Sequence, residues 1–392
     1  MKNTKFNIII PTRTRHETLY HTIKTALNQD YDNLEVIVSD NFSEDLTHEV
    51  VSSFNDKRLK YYNTESRLSM AGNFEFAFSK VTDGFVMYLG DDDGILPNVL
   101  GNLNELINEY KVSAVTSFPA AYTWPDFHDT ERANLLSWGG RKNIEIRKTS
   151  DYLREFFTFR PGYTFDLPGA YCGFVDKIVL EKARSKDGIL FHSQVPDAYS
   201  AFAVSMFIEE YLYSYKPFTI HGASSRSNGA SHFSANKGVE SKNFDKENTI
   251  DFHTKVVACP SFRVIALETY LQLIDVFPEF NKIRIDWDAF LKAAYKERQS
   301  YNEEMFDIAF KEMCLMHGVD FKSLTNKSNF KLTNLSKIIS FAKMLFSPYK
   351  LELVDQLGIR NVYDASIALS ILINQDRKVI SRADEILGNF RK

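Results

Sequence analysis

The tightest constraint on this chain is an alternation in its first hundred residues. Short apolar runs of strand length are separated there by segments with helical spacing. Phe6-Asn7-Ile8-Ile9-Ile10 reads as a buried strand that Pro11 ends. Thr18 to Asn28 follows, with Leu19, Ile23, Ala26 and Leu27 at helical spacing. Leu34-Glu35-Val36-Ile37-Val38 is a second buried strand, ending in Ser39-Asp40-Asn41, and Leu46 to Phe54 is helical. Leu59 to Tyr62 is a short strand and Asn73 to Lys80 a helix. Phe85-Val86-Met87-Tyr88-Leu89 is a further strand, ending in Gly90-Asp91-Asp92-Asp93. Strand and helix alternating through short connections predict an α/β fold, a Rossmann-like, mostly parallel central sheet with right-handed crossovers.

Beyond Val112 the pattern is mixed. Ala114 to Phe118 reads as a strand, followed by aromatic loops around Tyr122, Trp124 and Trp138. After Asp251 the spacing is helical with few strand signals, as in Phe262, Ile265, Ala266, Tyr270 and Leu273. A chain of 392 residues suggests about two domains. The polar stretch Ser234 to Asn248 marks the boundary, which predicts units over 1–240 and 250–392. The helical unit is expected to present an acceptor or form a homo-oligomer contact. The net charge of -4 gives no global sign of a nucleic-acid partner. Cys172, Cys259 and Cys314 form neither a CxxC pair nor a zinc spacing, and an odd number argues against a disulfide framework. A reducing, cytoplasmic setting fits, since no signal-peptide pattern opens the chain and no apolar run of about 18 residues is present.

In an open parallel sheet, ligands bind beyond the carboxyl ends of the strands. Two strands here end in acid, at Asp40 and at Asp91-Asp92-Asp93. Adjacent carboxylates repel one another unless a cation sits among them. Hard oxygen ligands in a tight group suit Mg2+ or Mn2+, which also bind substrate phosphates. Asp and Gly are common in solvated turns as well. The position directly after a buried strand, with Pro97 closing the next turn, favours the functional reading.

These segments resemble a family-2 glycosyltransferase of the GT-A fold. Asn7-Ile8-Ile9-Ile10-Pro11-Thr12-Arg13 is similar to the family's opening strand, which meets the nucleotide. Val38-Ser39-Asp40-Asn41-Phe42-Ser43-Glu44-Asp45 resembles its second motif, whose acid contacts the base and matches Asp40. Met87 to Pro97 resembles its metal motif. The usual first acid of that motif falls at Gly90 and its spacer at Asp91, and Asp92 is the position best matched. The resemblance implies a metal site at Asp92 and Asp93, with Asp91 assisting at the donor. It places Asn73 and Arg67 beside the donor, and Gly173, in Gly169 to Phe174, at the sugar pocket. It puts the acceptor-side base about 100 residues beyond the metal motif, where Asp197 stands. Asp197 opens a helix-like run from Ala198 to Tyr211, so an N-cap role is the structural alternative. His221 is the candidate for a histidine near metal or diphosphate. Ser224, Ser225 and Arg226 could close over the diphosphate as a lid loop does.

The expected reaction is inverting transfer of a sugar from a nucleotide-sugar, by resemblance a UDP-sugar, to a saccharide or lipid-linked acceptor. The expected setting is bacterial surface polysaccharide synthesis, such as capsule or lipopolysaccharide. The alternative is a non-catalytic nucleotide-binding or assembly protein that retains the fold, a reading that Gly90 keeps open. A dinucleotide-dependent oxidoreductase is disfavoured, because no G-x-G-x-x-G follows the first strand. Between Phe321 and Lys350 there is no acid, and Lys322, Lys327, Lys331, Lys337, Lys343 and Lys350 lie among apolar residues. That pattern suits either a peripheral contact with anionic lipid or packing against a neighbouring helix.

Overall fold

The computed structural model describes residues 2–139, 142–157, 166–227, 244, 246–300, 303–325, 349–353 and 357–374. The first third alternates as β1 (Phe6–Thr12), α1 (His16–Leu27), β2 (Leu34–Asp40), α2 (Thr47–Ser52), β3 (Leu59–Asn63), α3 (Met70–Phe78) and β4 (Phe85–Tyr88). Then come β5 (Gly94–Ile95), α4 (Val99–Tyr110), β6 (Ala114–Ser117), β7 (Ala120–Thr123), β8 (Leu135–Gly139), β9 (Ile144–Lys148) and α5 (Thr149–Phe157). The middle contributes β10 (Phe174–Asp176), α6 (Lys177–Lys182), α7 (Pro196–Phe207), β11 (Glu210–Ser214) and β12 (Thr219–Ala223). Helices α8 (Phe262–Val276), α9 (Trp287–Tyr295), α10 (Glu303–His317) and α11 (Phe321–Thr325) follow, then β13 (Tyr349–Leu353) and α12 (Val362–Asn374).

An eight-stranded sheet has the order β3-β2-β1-β4-β10-β6-β11-β9. Its first four strands are parallel, which the apolar runs and short helical crossovers predict. Strand β10 enters antiparallel between β4 and β6, and β9 closes the edge antiparallel to β11. A second sheet of five strands runs β13-β8-β7-β12-β5. Ile8, Ile10, Val36, Val38 and Met87 fill one face of the large sheet against α1 and α4. Ile9, Ile37, Val86 and Tyr88 face the other way, into a core shared with α3, α7 and α8.

Three local departures have physical causes. Pro11 remains inside β1, paired in register with Ser39. Past Ile9, β1 is no longer laddered to β4, so it is paired only on the β2 side there. The helical run expected to reach Tyr211 stops at Phe207. Ile208 is extended, and Leu212 pairs with Val115 of β6, so sheet pairing overrides the helical spacing. The region after Asp251 also supplies a strand: β13 pairs antiparallel with β8. Helix α12 then packs Val362, Ala365 and Leu369 with Tyr122, Trp138 and Ile220 of the second sheet. Of the lysine-rich stretch from Phe321 to Lys350, residues 326–348 lie outside the described residues.

Candidate active site at the carboxyl edge of the sheet

Strands β1, β2 and β4 are parallel and in register, so their carboxyl ends reach one edge, with Thr12 opposite Asp40. The Asp40 carboxylate is almost wholly buried. Its Oδ2 accepts from the Tyr61 hydroxyl at 2.5 Å and from Asn63 Nδ2 at 3.1 Å, and its Oδ1 accepts from the Ser43 amide at 2.9 Å. Burial and the Asp40 bond push the Tyr61 phenol up to about 12. Asn41 clamps the chain opposite: its Oδ1 accepts from the Leu68 amide at 2.9 Å, and its Nδ2 donates to the Leu68 carbonyl at 2.8 Å. Arg67, at the surface, donates to the Asn41 carbonyl at 3.0 Å. Asn73 lies deeper, accepting from Ser39 Oγ at 2.7 Å, and ties α3 to β2. Arg13 forms an ion pair with Glu247.

The turn after β4 sends its three carboxylates to three different partners. Asp91 is buried; it accepts from Thr12 Oγ1 at 2.7 Å and pairs with the Arg15 guanidinium at 3.0 Å. Burial pushes its carboxyl up, against the pull of Arg15. Asp92 Oδ2 accepts from the amide and hydroxyl of Ser224, at 3.2 and 2.8 Å, and from Ser227 Oγ. Asp93, fully buried, accepts from the Gly222 amide at 2.6 Å, the Gly90 amide at 3.0 Å and the Tyr171 hydroxyl at 2.5 Å. The acids thus tie three segments to the turn: Asp91 holds β1, Asp92 the loop after β12, and Asp93 both β12 itself and the segment before β10.

Two glycines allow this closeness. A Cβ on Gly222 would stand 1.8 Å from the Asp92 carbonyl oxygen, so β12 can lie against the turn only there. A Cβ on Gly90 would meet Asp93 Oδ2 at 2.8 Å. The glycine that replaces the usual acid is therefore the position over which Asp93 folds back. Gly173 is similarly confined, with the Gly169 carbonyl 2.5 Å from its would-be Cβ.

His221 Nδ1 lies 3.5 Å from Asp93 Oδ1 and Cys172 Sγ lies 3.8 Å from Asp93 Oδ2. Ligand atoms of Asp93, Cys172 and His221 all fall within 4.8 Å of one another. This mixed oxygen, sulfur and nitrogen set is chemically competent for a divalent metal. Burial, then the Asp93 carboxylate, push the Tyr171 phenol and the Cys172 thiol well above their usual ranges.

Asp197 lies in the first turn of α7, behind Pro196, and the N-cap is Val195. The capping role open to Asp197 in the sequence therefore falls elsewhere. Its charge is the smallest of the contributions that raise the Cys172 thiol. Ser200 Oγ donates to the Asp197 carbonyl at 2.8 Å and accepts from the Ala170 amide at 3.2 Å, which joins α7 to the segment carrying Gly173. Arg226 is half-buried in the turn from Ser224 to Ser227 that holds Asp92.

The structure thus gathers Thr12, Asp40, Asn41, Asp91, Asp92, Asp93 and His221 at one edge. It turns Asp92 away from His221, toward the serines. Sequence reasoning missed Arg15, Tyr171, Cys172 and Gly222. Arg15 stands two positions from Arg13, which drew the attention. Cys172 lies 79 positions from Asp93, a separation that no spacing rule covers.

Residues 7–166 match the model of glycosyl transferase family 2. The chain is 37% identical over 108 residues to the GalNAc(5)-diNAcBac-PP-undecaprenol beta-1,3-glucosyltransferase of Campylobacter jejuni, covering 27% of this chain and 35% of that protein. It is 32% identical over 94 residues to the UDP-Glc:alpha-D-GlcNAc-diphosphoundecaprenol beta-1,3-glucosyltransferase WfgD of Escherichia coli, covering 24% of this chain and 37% of that one. The matches span about a third of the length of these curated relatives. Among solved structures, S. aureus TarS 1–349 in complex with UDP-GlcNAc is 16% identical with a TM-score of 0.45, over 82% of this chain and 88% of that chain.

Proposed function

We propose that this chain, which matches the glycosyl transferase family 2 model over residues 7–166, is an inverting glycosyltransferase that moves a hexose from a UDP-sugar to a lipid-linked saccharide. The observation that carries the reading is the turn Asp91-Asp92-Asp93, buried after β4 at the carboxyl edge of the parallel strands, with Thr12 at the end of the adjacent β1 and Asp40 at the end of β2 beyond it. Both relatives above are named as glucosyltransferases of diphospho-undecaprenol-linked acceptors, and the Escherichia coli name gives UDP-Glc, which makes UDP-glucose the first donor to test.

Asp40 and Asn41 receive the base, and Pro11, Thr12 and Arg13 line the nucleotide where β1 ends. Arg67, Asn73 and Asp91 border the donor, and Gly173 leaves room for the sugar. Asp93 and His221, with Asp92 beside them in the turn, would hold a divalent ion, Mn2+ or Mg2+, which would supply positive charge against the departing diphosphate when bound. Arg226 and its serine neighbours lie over the same side. On the acceptor side, Asp197 takes the hydroxyl proton as that oxygen forms the new glycosidic bond and the bond to the diphosphate breaks. Inversion requires this one base, opposite the leaving group. The setting is bacterial surface polysaccharide assembly, of capsule or lipopolysaccharide type. No helix among the described residues is long and apolar enough to cross a membrane, so a lipid-linked acceptor is met from the surface. The lysine-rich stretch after Phe321 is the candidate contact.

The test is UDP release from a panel of UDP-sugars, with undecaprenyl-diphosphate-linked GlcNAc as acceptor, with Mn2+ or with chelator. Metal-dependent release that needs acceptor supports the reading. Tight UDP binding without turnover on any donor would instead favour a non-catalytic nucleotide-binding protein.

A further inference from the structure

The carboxylate turn offers hard oxygen ligands, yet the atoms that converge on Asp93 include a sulfur. We propose that Cys172 is a direct metal ligand alongside Asp93 and His221, so that this site selects Zn2+ or Co2+ over Mg2+. The inference rests on the transferase reading only for what the bound ion does, not for how it is held.

Geometry supports it. A tetrahedral centre with bonds of about 2.0–2.3 Å places its ligand atoms about 3.3–3.8 Å apart. One ligand atom from each of Cys172, Asp93 and His221 lies within 4.8 Å of the other two, with Cys172 Sγ 3.8 Å from Asp93 Oδ2 and His221 Nδ1 3.5 Å from Asp93 Oδ1, so small side-chain shifts bring them to such a centre. Lone pairs remain for the purpose. Asp93 Oδ2 already accepts from Gly90 and Tyr171, but Oδ1 accepts only the Gly222 amide among the hydrogen bonds above, leaving capacity on the side of His221. The thiol is also held in place. Cys172 has φ +57°, a left-handed backbone uncommon outside glycine, and its amide donates to the Tyr88 carbonyl at 3.0 Å. Asp93 and Cys172 close the site from within, while the His221 side chain is 42% exposed and leaves an open side for a phosphate oxygen. Thiolate and imidazole favour Zn2+ and its neighbours, whereas Mg2+ takes oxygen and water.

The experiment uses the full chain, stripped with chelator and titrated with Co2+. A thiolate ligand produces an intense sulfur-to-cobalt charge-transfer band in the near ultraviolet. That band should appear with the wild type, persist in Cys259→Ser, and vanish in Cys172→Ser, whose side chain is nearly isosteric. Co2+ and Zn2+ affinity should fall by about 10-fold or more in Cys172→Ser, at least the scale seen for losing an outer-shell partner, while Mg2+ affinity changes little. Circular dichroism establishes that the variant is folded. A wild-type spectrum without the band, or one unchanged in Cys172→Ser, overturns the proposal. So does wild-type Mg2+ affinity equal to that for Zn2+, a comparison that needs no variant. Sugar transfer is not the readout: a protein that binds Co2+ through Cys172 but moves no sugar keeps this inference and rejects the transferase reading.

Discussion

Replacing Gly222 with Ala tests the central packing claim, that β12 rests directly on the carboxylate turn. A Cβ there would stand 1.8 Å from the Asp92 carbonyl oxygen and 2.6 Å from its carbon, where real Cβ atoms keep at least 3.0 Å. Both obstacles are backbone, so no side chain can rotate away. The strand and the turn must part by about an ångström, which costs about 1–3 kcal/mol as overpacking. Parting also breaks the 2.6 Å bond from the Gly222 amide to the buried Asp93 carboxylate, and a hydrogen bond to a charged group contributes about 1.5–3 kcal/mol. A combined loss of about 2.5–6 kcal/mol is a large share of ordinary domain stability. With about 2.1 cal/mol/K of unfolding entropy per residue, a chain this long unfolding as a unit loses about 1.2 °C per kcal/mol, so Tm should fall by about 3–7 °C. Calorimetric UDP titration with Mn2+ should show weakened binding, because Asp92 and Asp93 are displaced together. Gly101, in α4, is the control: a Cβ there meets nothing within 4 Å, and Gly101→Ala should leave Tm unchanged or raised. Wild-type Tm and UDP binding in Gly222→Ala would refute the packing claim.

Three further outcomes are expected. Asp197→Asn keeps the shape and removes the base: UDP-sugar affinity should survive while transfer falls about 100-fold or more, and near-normal turnover would move the role elsewhere. Arg15→Met strips the buried Asp91 carboxylate of its cation and should destabilise the fold by about 3–5 kcal/mol in denaturant titration; a loss under about 1 kcal/mol would mean that Asp91 is neutral. Burial holds the Glu268 carboxyl above its usual range, against hydrogen bonds from Gln272, the His253 amide and Ser193. The stability it contributes is full below the unfolded carboxyl pKa of about 4.3 and is lost as pH rises through the higher folded value. Glu268→Gln should therefore gain on the wild type as pH rises from acid to neutral, and a flat difference would count against that assignment.

How far the sequence could be read follows from how local each signal is. β1, β2, β4 and their acidic ends were legible because burial leaves apolar runs and turns leave polar ones within a few residues. The helices after Asp251 were legible for the same reason. The assignment of each acid was not. Asp91, Asp92 and Asp93 are chemically alike, and what separates them is Arg15, Tyr171, and Gly222 with Ser224, which arrive from three other segments. The end of α7 differs from the expected run to Tyr211 because Glu210 and Tyr211 pair with β9 and Leu212 with β6, contacts that no local spacing carries. β13 gave no local signal that outweighed the helical pattern around it.

The second sheet also sets a timetable. Asn134 Nδ2 donates to the Ile359 carbonyl across 225 positions, and Val362 of α12 lies against Gly94, directly after the carboxylate turn. At about 5–20 residues per second, the interval between synthesis of those two regions is on the order of 10–45 s. The parallel strands can pair during that time, while the face of the turn that α12 covers stays open to solvent. Whatever holds nascent chains in that interval meets the apolar residues of β5, β7 and β8 before the last helix does. Substitutions in α12, which supplies none of the candidate site residues, should therefore lower the yield of folded protein more than the activity of the molecules that fold.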